Sequence, residues 1–371
     1  MTLFHVIEWL IKGFVWAMVL LGGFAYLTLY ERRALARIQS RIGPNRAGPW
    51  GLLQPIADAV KLIFKEELTP AKADKLIFLL APVITVVPAV IITAVVPWGP
   101  SLDILGYHLN LYIADINVGV LYIMSIASIA VYGIVLAGWS SNNKYAMLGG
   151  MRSSAQMISY ELALGLSFVS AILLAGSMRM LDIVNMQKPI WFVLLQPVGT
   201  GIFLIATLAE VNRAPFDMPE AEQELTAGYH TEYSGMKFAL LFMAEYTKMI
   251  AISAIGATLF FGGYLGPFID KFPWLGPVYI FIKIILLLFG MIWVRATFPR
   301  IRYDRLMAFG WKVLLPLSLA VVFITAVGII LSQHYQDPLL MGIIPVTSIL
   351  VAGFAVAMID RELRRKDYAR R

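Results

Sequence analysis

The chain has 371 residues, of which 59% are hydrophobic and only 14% charged, with a formal net charge of +7 and a mean hydropathy of +0.76. That balance excludes an ordinary soluble globular domain and places the chain among polytopic helical membrane proteins. Cysteine is absent, which excludes disulfides, thiolate metal sites and iron-sulfur ligation, and basic loops without a folded soluble module carry no nucleic-acid signal.

The apolar runs read as an all-α membrane helix bundle of about nine spans, each needing about 20 residues, in a single integral membrane domain over residues 1–371. The first span covers residues 10–29; it is too long for a signal peptide and lacks a small-residue cleavage site. It runs into YERRALARIQSRIGPNRAGPWG, where Glu31 has Arg32 or Arg33 as a neighbouring partner and the Gly-Pro pairs set an ordered loop. Surface ion pairs are worth only about 0–1 kcal/mol, so topological anchoring and function stay equally open for these arginines.

Residues 52–64, LLQPIADAVKLIF, put Leu52, Leu53, Ile56, Val60, Ile63 and Phe64 on one stripe, opposite Gln54, Asp58, Lys61 and Lys65. Too short to span, this amphipathic helix is expected in the membrane interface, as a plain anchor or as the roof of a lateral opening. Further spans follow at residues 76–96, 119–139, 157–175 and 190–208, with an ordinary external loop at 97–118. Glu161 lies about one turn inside the fourth span, where a charge is costly, and Tyr160 and Ser159 are its candidate local donors.

Residues 209–237 form an acidic connection expected in the cytoplasm, carrying Glu210, Asp217, Glu220, Glu222, Glu224 and Glu232, with Glu245 in the next span. One reading is a solvated loop in which Asp217 caps a helix started by Pro219. The other is a proton-handling element, because carboxylates at the edge of hydrocarbon hold and share protons. Glu210 and Glu245 favour the second, since each sits in or beside an apolar run where a charge costs about 2.5–3.5 kcal/mol. Lys248, three residues after Glu245, shares its helical face and is a candidate partner.

The last spans cover residues 238–261, 277–294, 313–331 and 341–359. Lys283 lies inside the seventh and Arg295 closes it, so acids and cations of the fourth to seventh spans are candidates for one polar seam. Residues 341–371 combine the last span with a basic tail. Arginine and lysine crowd the first loop and this tail, so the positive-inside rule puts both in the cytoplasm and the N-terminus outside. His5, His108, His230 and His334 have no metal-ligand spacing, and the chain has no P-loop and no internal repeat.

Four stretches together carry a family resemblance: YERRALARIQSRIGPNRAGPWGLLQPIADAVKLIFKEE, GWSSNNKYAMLGGMRSSAQMISYELALG, EVNRAPFDMPEAEQELTAGYHTEYSGMKFA and RATFPRIRYDRLM. In that order they resemble the H-subunit family of bacterial NADH:quinone oxidoreductase, respiratory complex I, the counterpart of mitochondrial subunit 1. The resemblance implies an enzyme subunit that is not catalytic alone, placed where the membrane arm meets the peripheral arm in the bacterial inner membrane. It implies no cofactor held in this chain, with FMN and iron-sulfur clusters in partner subunits only, and quinone as substrate.

Carried over by motif, Arg32, Asp58, Ala59, Lys61 and Phe238 would border the quinone tunnel, and Glu161, Glu210, Glu220, Glu222, Glu224, Glu232 and Glu245 would couple quinone reduction to proton movement. Arg213, Asp217, Arg295 and Arg300 would structure the loops. Implied partners are the peripheral-arm quinone-site subunits, the small and antiporter-like membrane subunits, quinone and lipid, with no nucleic acid. The residues alone leave two alternatives open: the anchor of a membrane-bound hydrogenase-type complex, or an ion-coupled carrier. Many relatives end after the eighth span, so residues 341–371 are a departure, expected to pack peripherally.

Overall fold

The computed structural model describes residues 3–104, 107–217, 227–335 and 341–370. Helix α1 (Leu3–Ile38) outruns the expected first span at both ends, so Arg32, Arg33 and Arg37 ride on its last turns instead of on a loop. A tight turn at Pro49–Gly51 follows, with Gly48, Trp50 and Gly51 at positive φ. Gly51 is required there, because a Cβ would collide with the Pro44 carbonyl. The interfacial helix forms as α2 (Gln54–Phe64), with Ile56, Val60, Ile63 and Phe64 exposed along one side.

Helix α3 (Lys75–Ile91) is capped by Asp74, whose side chain accepts from the Ile77 amide at 3.4 Å. Pro82 inside it has no N–H and so leaves the Phe78 carbonyl without its helical donor. The Tyr233 hydroxyl supplies that hydrogen bond at 3.2 Å, and the two rings stack with centroids 4.1 Å apart. Burial pushes the Tyr233 phenol up to about 12, so it stays a neutral donor.

The stretch expected as a plain loop at 97–118 instead contains a hairpin, β1 (Leu102–Ile104) against β2 (Tyr107–Leu109), antiparallel with Leu102 opposite Leu109. Helices α4 (Gly119–Ser140) and α5 (Lys144–Ala175) follow. Asn143 caps α5 by accepting from Tyr145 N at 2.9 Å, so the helix begins well before the expected fourth span and absorbs much of its polar lead-in.

The expected fifth span is broken. After α6 (Met180–Met186), α7 (Phe192–Leu195) stops at Gln196 and α8 (Pro197–Glu210) restarts with Pro197 in its first turn. Its 14 residues reach about 21 Å at 1.5 Å per residue, short of a roughly 30 Å hydrocarbon core. Polar side chains tie the segment around the break to neighbouring helices. Gln196 donates to the Thr325 hydroxyl, and Gln187 donates to the Thr258 carbonyl at 2.8 Å while accepting from Gly262 N at 2.9 Å.

Helix α9 (Gly235–Phe260) is the axis of the bundle: its apolar stretch is 56% buried, against 11% for that of α1. It packs on α3, α1 and α2, and on α10 (Leu275–Thr297). Helix α11 (Tyr303–Phe309) continues through a π turn at Gly310–Leu314 into α12 (Leu315–Tyr335), and α13 (Ile343–Arg370) closes the chain against α12, α8 and α7.

Among the described residues seven helical runs are long and apolar enough to cross a membrane, and Pro197–Glu210 and Ile343–Ala357 are shorter apolar helices. The molecule is an all-α polytopic bundle. Gly23 packs as expected for close helix contact, since a Cβ there would lie 3.3 Å from Ile250, whereas Gly22 faces open space.

Candidate functional site

Where α1 leaves the bundle, Arg32 Nη1 meets Asp58 Oδ2 of α2 at 2.7 Å, and Gln54 Nε2 donates to the other carboxylate oxygen at 3.2 Å. Lys61 Nζ stands 4.0 Å from Asp58, and Ala59 and Lys61 are exposed on the same helix. Four of the five residues expected at the tunnel are therefore together. Beside them, Arg33, Arg37, Arg41, Asn45 and Trp50 line a basic cavity of about 690 Å³.

The fifth, Phe238, begins an aromatic ladder on one face of α9. Its ring lies 5.8 Å from Phe242, whose ring lies 4.7 Å from Tyr246. The i, i+4 spacing that puts these rings on one face was present in the sequence. The ladder ends on charge: the Arg213 guanidinium sits 4.3 Å over the Tyr246 ring and 3.8 Å from Glu31, which also pairs with Arg295. The expected partners Arg32 and Arg33 do not take Glu31. Its position on α1 turns it inward, and it is 3% exposed, while Arg32 turns to α2.

The acids are held by different partners. Glu161 accepts from Ser128 of α4. The local donors expected for it are engaged elsewhere, Tyr160 with the Leu306 carbonyl at 2.9 Å and Ser159 with Trp311 at 3.2 Å. Lys248 pairs with Glu210 at 2.5 Å, not with Glu245, because α8 ends directly against its ammonium. Glu245 is held by the Tyr229 hydroxyl at 2.9 Å and by His230 Nε2 at 3.3 Å. Glu232 accepts from Asn143 at 2.7 Å, away from the buried acids. Glu220, Glu222 and Glu224 lie outside the described residues.

Glu210 and Lys248 stand between two small cavities of about 30 Å³ each. One also touches Tyr229 and Glu245, and the other is apolar and bounded by Ile92, Met124 and Phe168. Each has room for a water, which takes about 10–15 Å³ of such space. The expected seam thus reaches from Glu245 to Glu210 and Lys248 but excludes Lys283. That ammonium donates to the Gly263 and Leu265 carbonyls, at 2.8 and 2.7 Å, under the Trp191 ring.

The segment after α8 is not the solvated loop of the simpler reading. Every residue from 211 to 217 is buried. Gln156 of α5, fully buried, donates to the Ala209 and Phe216 carbonyls at 2.9 and 2.8 Å and to Asn212 at 3.2 Å. Arg300 reaches Asp217 at 3.2 Å and Ile301 N bonds Pro215 O at 3.0 Å, tying this segment to the turn after α10. Arg213, Asp217, Arg295 and Arg300 thus all connect separate segments.

At the opposite end of the bundle Arg179 clamps Asp115, and those hydrogen bonds raise the guanidinium pKa further. Among the described residues no group of histidine or carboxylate side chains is arranged to hold a metal ion. Sequence reasoning missed Ser128, Gln156 and Tyr229, which carry no pattern of their own, and also Tyr246, whose i, i+4 spacing from Phe242 was the available signal, and His230, whose place inside the acidic stretch was another.

The NADH dehydrogenase family model matches residues 11–326. The chain is 52% identical over 323 residues to the NADH-quinone oxidoreductase H subunit of Thermomicrobium roseum, covering 84% of this chain and 93% of the relative. It is 52% identical over 301 residues to the second NADH-quinone oxidoreductase H subunit of Geobacter sulfurreducens, covering 81% and 90%. With the corresponding H subunit of Dehalococcoides mccartyi it shares 49% over 332 residues, covering 88% and 90%. The chain belongs to the NADH dehydrogenase family, among the H subunits of NADH-quinone oxidoreductase.

Proposed function

We propose that this chain admits a quinone from the bilayer between α1, α2 and α9 and couples its reduction to proton movement through Glu245, Glu210 and Glu161. The observation that carries the reading is the continuity of one face of α9. The ladder Phe238, Phe242, Tyr246 offers a stackable aromatic wall on the helix that packs against α1 and α2. On the same helix Glu245 and Lys248 reach the buried acids.

Quinone reduction takes up protons and changes local charge, which moves the proton affinity of nearby carboxylates by about 1.4 kcal/mol per pKa unit. Several coupled acids are needed to pass on a useful amount of free energy. The redox groups, FMN and iron-sulfur clusters, belong to partner subunits of the peripheral arm, and small and antiporter-like membrane subunits continue the membrane arm. The setting is the bacterial inner membrane, with the basic first loop and the C-terminus in the cytoplasm. Glu220, Glu222, Glu224 and Glu232 belong to the same proton-coupling set in this reading.

The test is Glu210→Gln in the assembled complex. The amide keeps the shape and a hydrogen-bonding partner for Lys248 but no longer takes or gives a proton. Proton movement per quinone reduced, measured in inverted membrane vesicles, is expected to fall several-fold while the complex still assembles. Unchanged pumping would remove Glu210 from the route.

A further inference from the structure

The turn at Gly228–His230 is held in place by an unusually close backbone approach. A Cβ on Gly149 of α5 would sit 2.5 Å from the Gly228 Cα, so the turn rests directly on the α5 backbone. This fixes His230 in a buried position, 7% exposed, with its Nε2 3.3 Å from Glu245 and its ring edge-on to Phe238 at 5.6 Å between centroids. The same Glu245 oxygen already accepts from the Tyr229 hydroxyl at 2.9 Å.

The other ring nitrogen, Nδ1, is buried and has no hydrogen-bond partner among the described residues. A neutral imidazole carries one donor and one acceptor. Leaving a buried one unmatched costs about 1–3 kcal/mol, so Nδ1 holds hydrogen-bonding capacity that no described residue uses. An imidazole can accept a proton at one nitrogen and release another from the opposite nitrogen.

We propose that His230 is a proton relay that feeds Glu245 from the side of the bundle where Phe238 begins the aromatic ladder. The inference rests on the coupling reading above. In the step, a proton from water or a hydronium bonds to Nδ1 and the Nε2–H bond breaks, its proton passing to the Glu245 carboxylate to give the carboxylic acid. No electrons are exchanged, and the imidazole ends neutral as the opposite tautomer, which a ring flip resets. Glu245 then shares a cavity with Glu210 and Lys248, the next groups inward. The charges around the relay are Glu245 on α9, Arg213 acting on Glu245 from the segment after α8, and Lys248 paired to Glu210; Tyr229 is the phenol beside it. His230 is thus a positioning and transfer residue that acts through Glu245.

The test uses the assembled complex in inverted membrane vesicles, with quinone-linked proton uptake followed across pH. His230→Gln is expected to slow uptake by about a hundredfold, the low end of the roughly 10²–10⁴-fold that a positioned acid-base group contributes, and to change the shape of the pH profile. His230→Ala is expected to recover part of the rate when free imidazole is added. A wild-type rate and pH profile in His230→Gln, or no response of His230→Ala to imidazole, would overturn the relay. Should the substituted chains fail to assemble, the unaltered complex grown with isotope-labelled histidine decides: redox-induced infrared bands of imidazole that shift with the label support the relay, and their absence overturns it. If Glu210→Gln abolishes pumping while His230→Gln leaves it intact, the relay alone fails; if both leave it intact, the coupling reading fails with it.

Discussion

Arg32 is the residue whose exposure separates function from stability. Its side chain is 49% exposed, and an exposed pair such as the one with Asp58 is worth about 0–1 kcal/mol. Arg32→Ala should therefore leave thermal stability within about 1 kcal/mol of the parent while raising the quinone concentration needed for half-maximal rate several-fold. Identical quinone titrations would take Arg32 out of the opening. At this scale the acids were legible in the sequence, because an ionisable group in an apolar run advertises its own cost. Their partners were not. Lys248 lies on the same helical face as Glu245 yet pairs with Glu210, and Glu31 passes over adjacent arginines for Arg213 and Arg295. Local spacing proposes a partner, and packing against a distant helix overrides it.

Among the elements, α3 depends on a residue far from it in the chain. Pro82 frees the Phe78 carbonyl, and Tyr233 closes it at 3.2 Å from 155 residues away. Tyr233→Phe keeps the 4.1 Å ring stack and deletes only the donor. It should destabilise the chain by about 1–3 kcal/mol, the cost of an unmatched buried carbonyl. Thermal unfolding in detergent checks this, and a loss indistinguishable from zero would mean that the carbonyl finds another donor. The long apolar elements were readable from hydropathy alone. The break at Gln196 and Pro197 was not, because the side chains around it are anchored on distant helices, Gln196 on Thr325 and Gln187 on the end of α9, contacts that only folding creates. Nor was the early start of α5, where an asparagine cap recruits a stretch that looks polar in isolation.

For the whole molecule, composition determined the class and the four sequence stretches determined the kinship, which half-identical relatives across most of the chain confirm. The way the buried segment after α8 is stitched by Gln156 and Arg300 had no sequence signal, since each contact joins parts of the chain brought together only by folding. The outward face of α2 has a kinetic consequence. Ile56, Val60, Ile63 and Phe64 are all exposed on a helix suited to lie along the bilayer surface. A quinone that enters between α1 and α2, as proposed above, would travel in two dimensions, and the rate would answer to its mole fraction in lipid instead of its molarity in the tube. Doubling the buffer volume around vesicles should leave turnover unchanged, whereas fusing in quinone-free lipid should slow it in proportion; the reverse pattern would mean delivery through water.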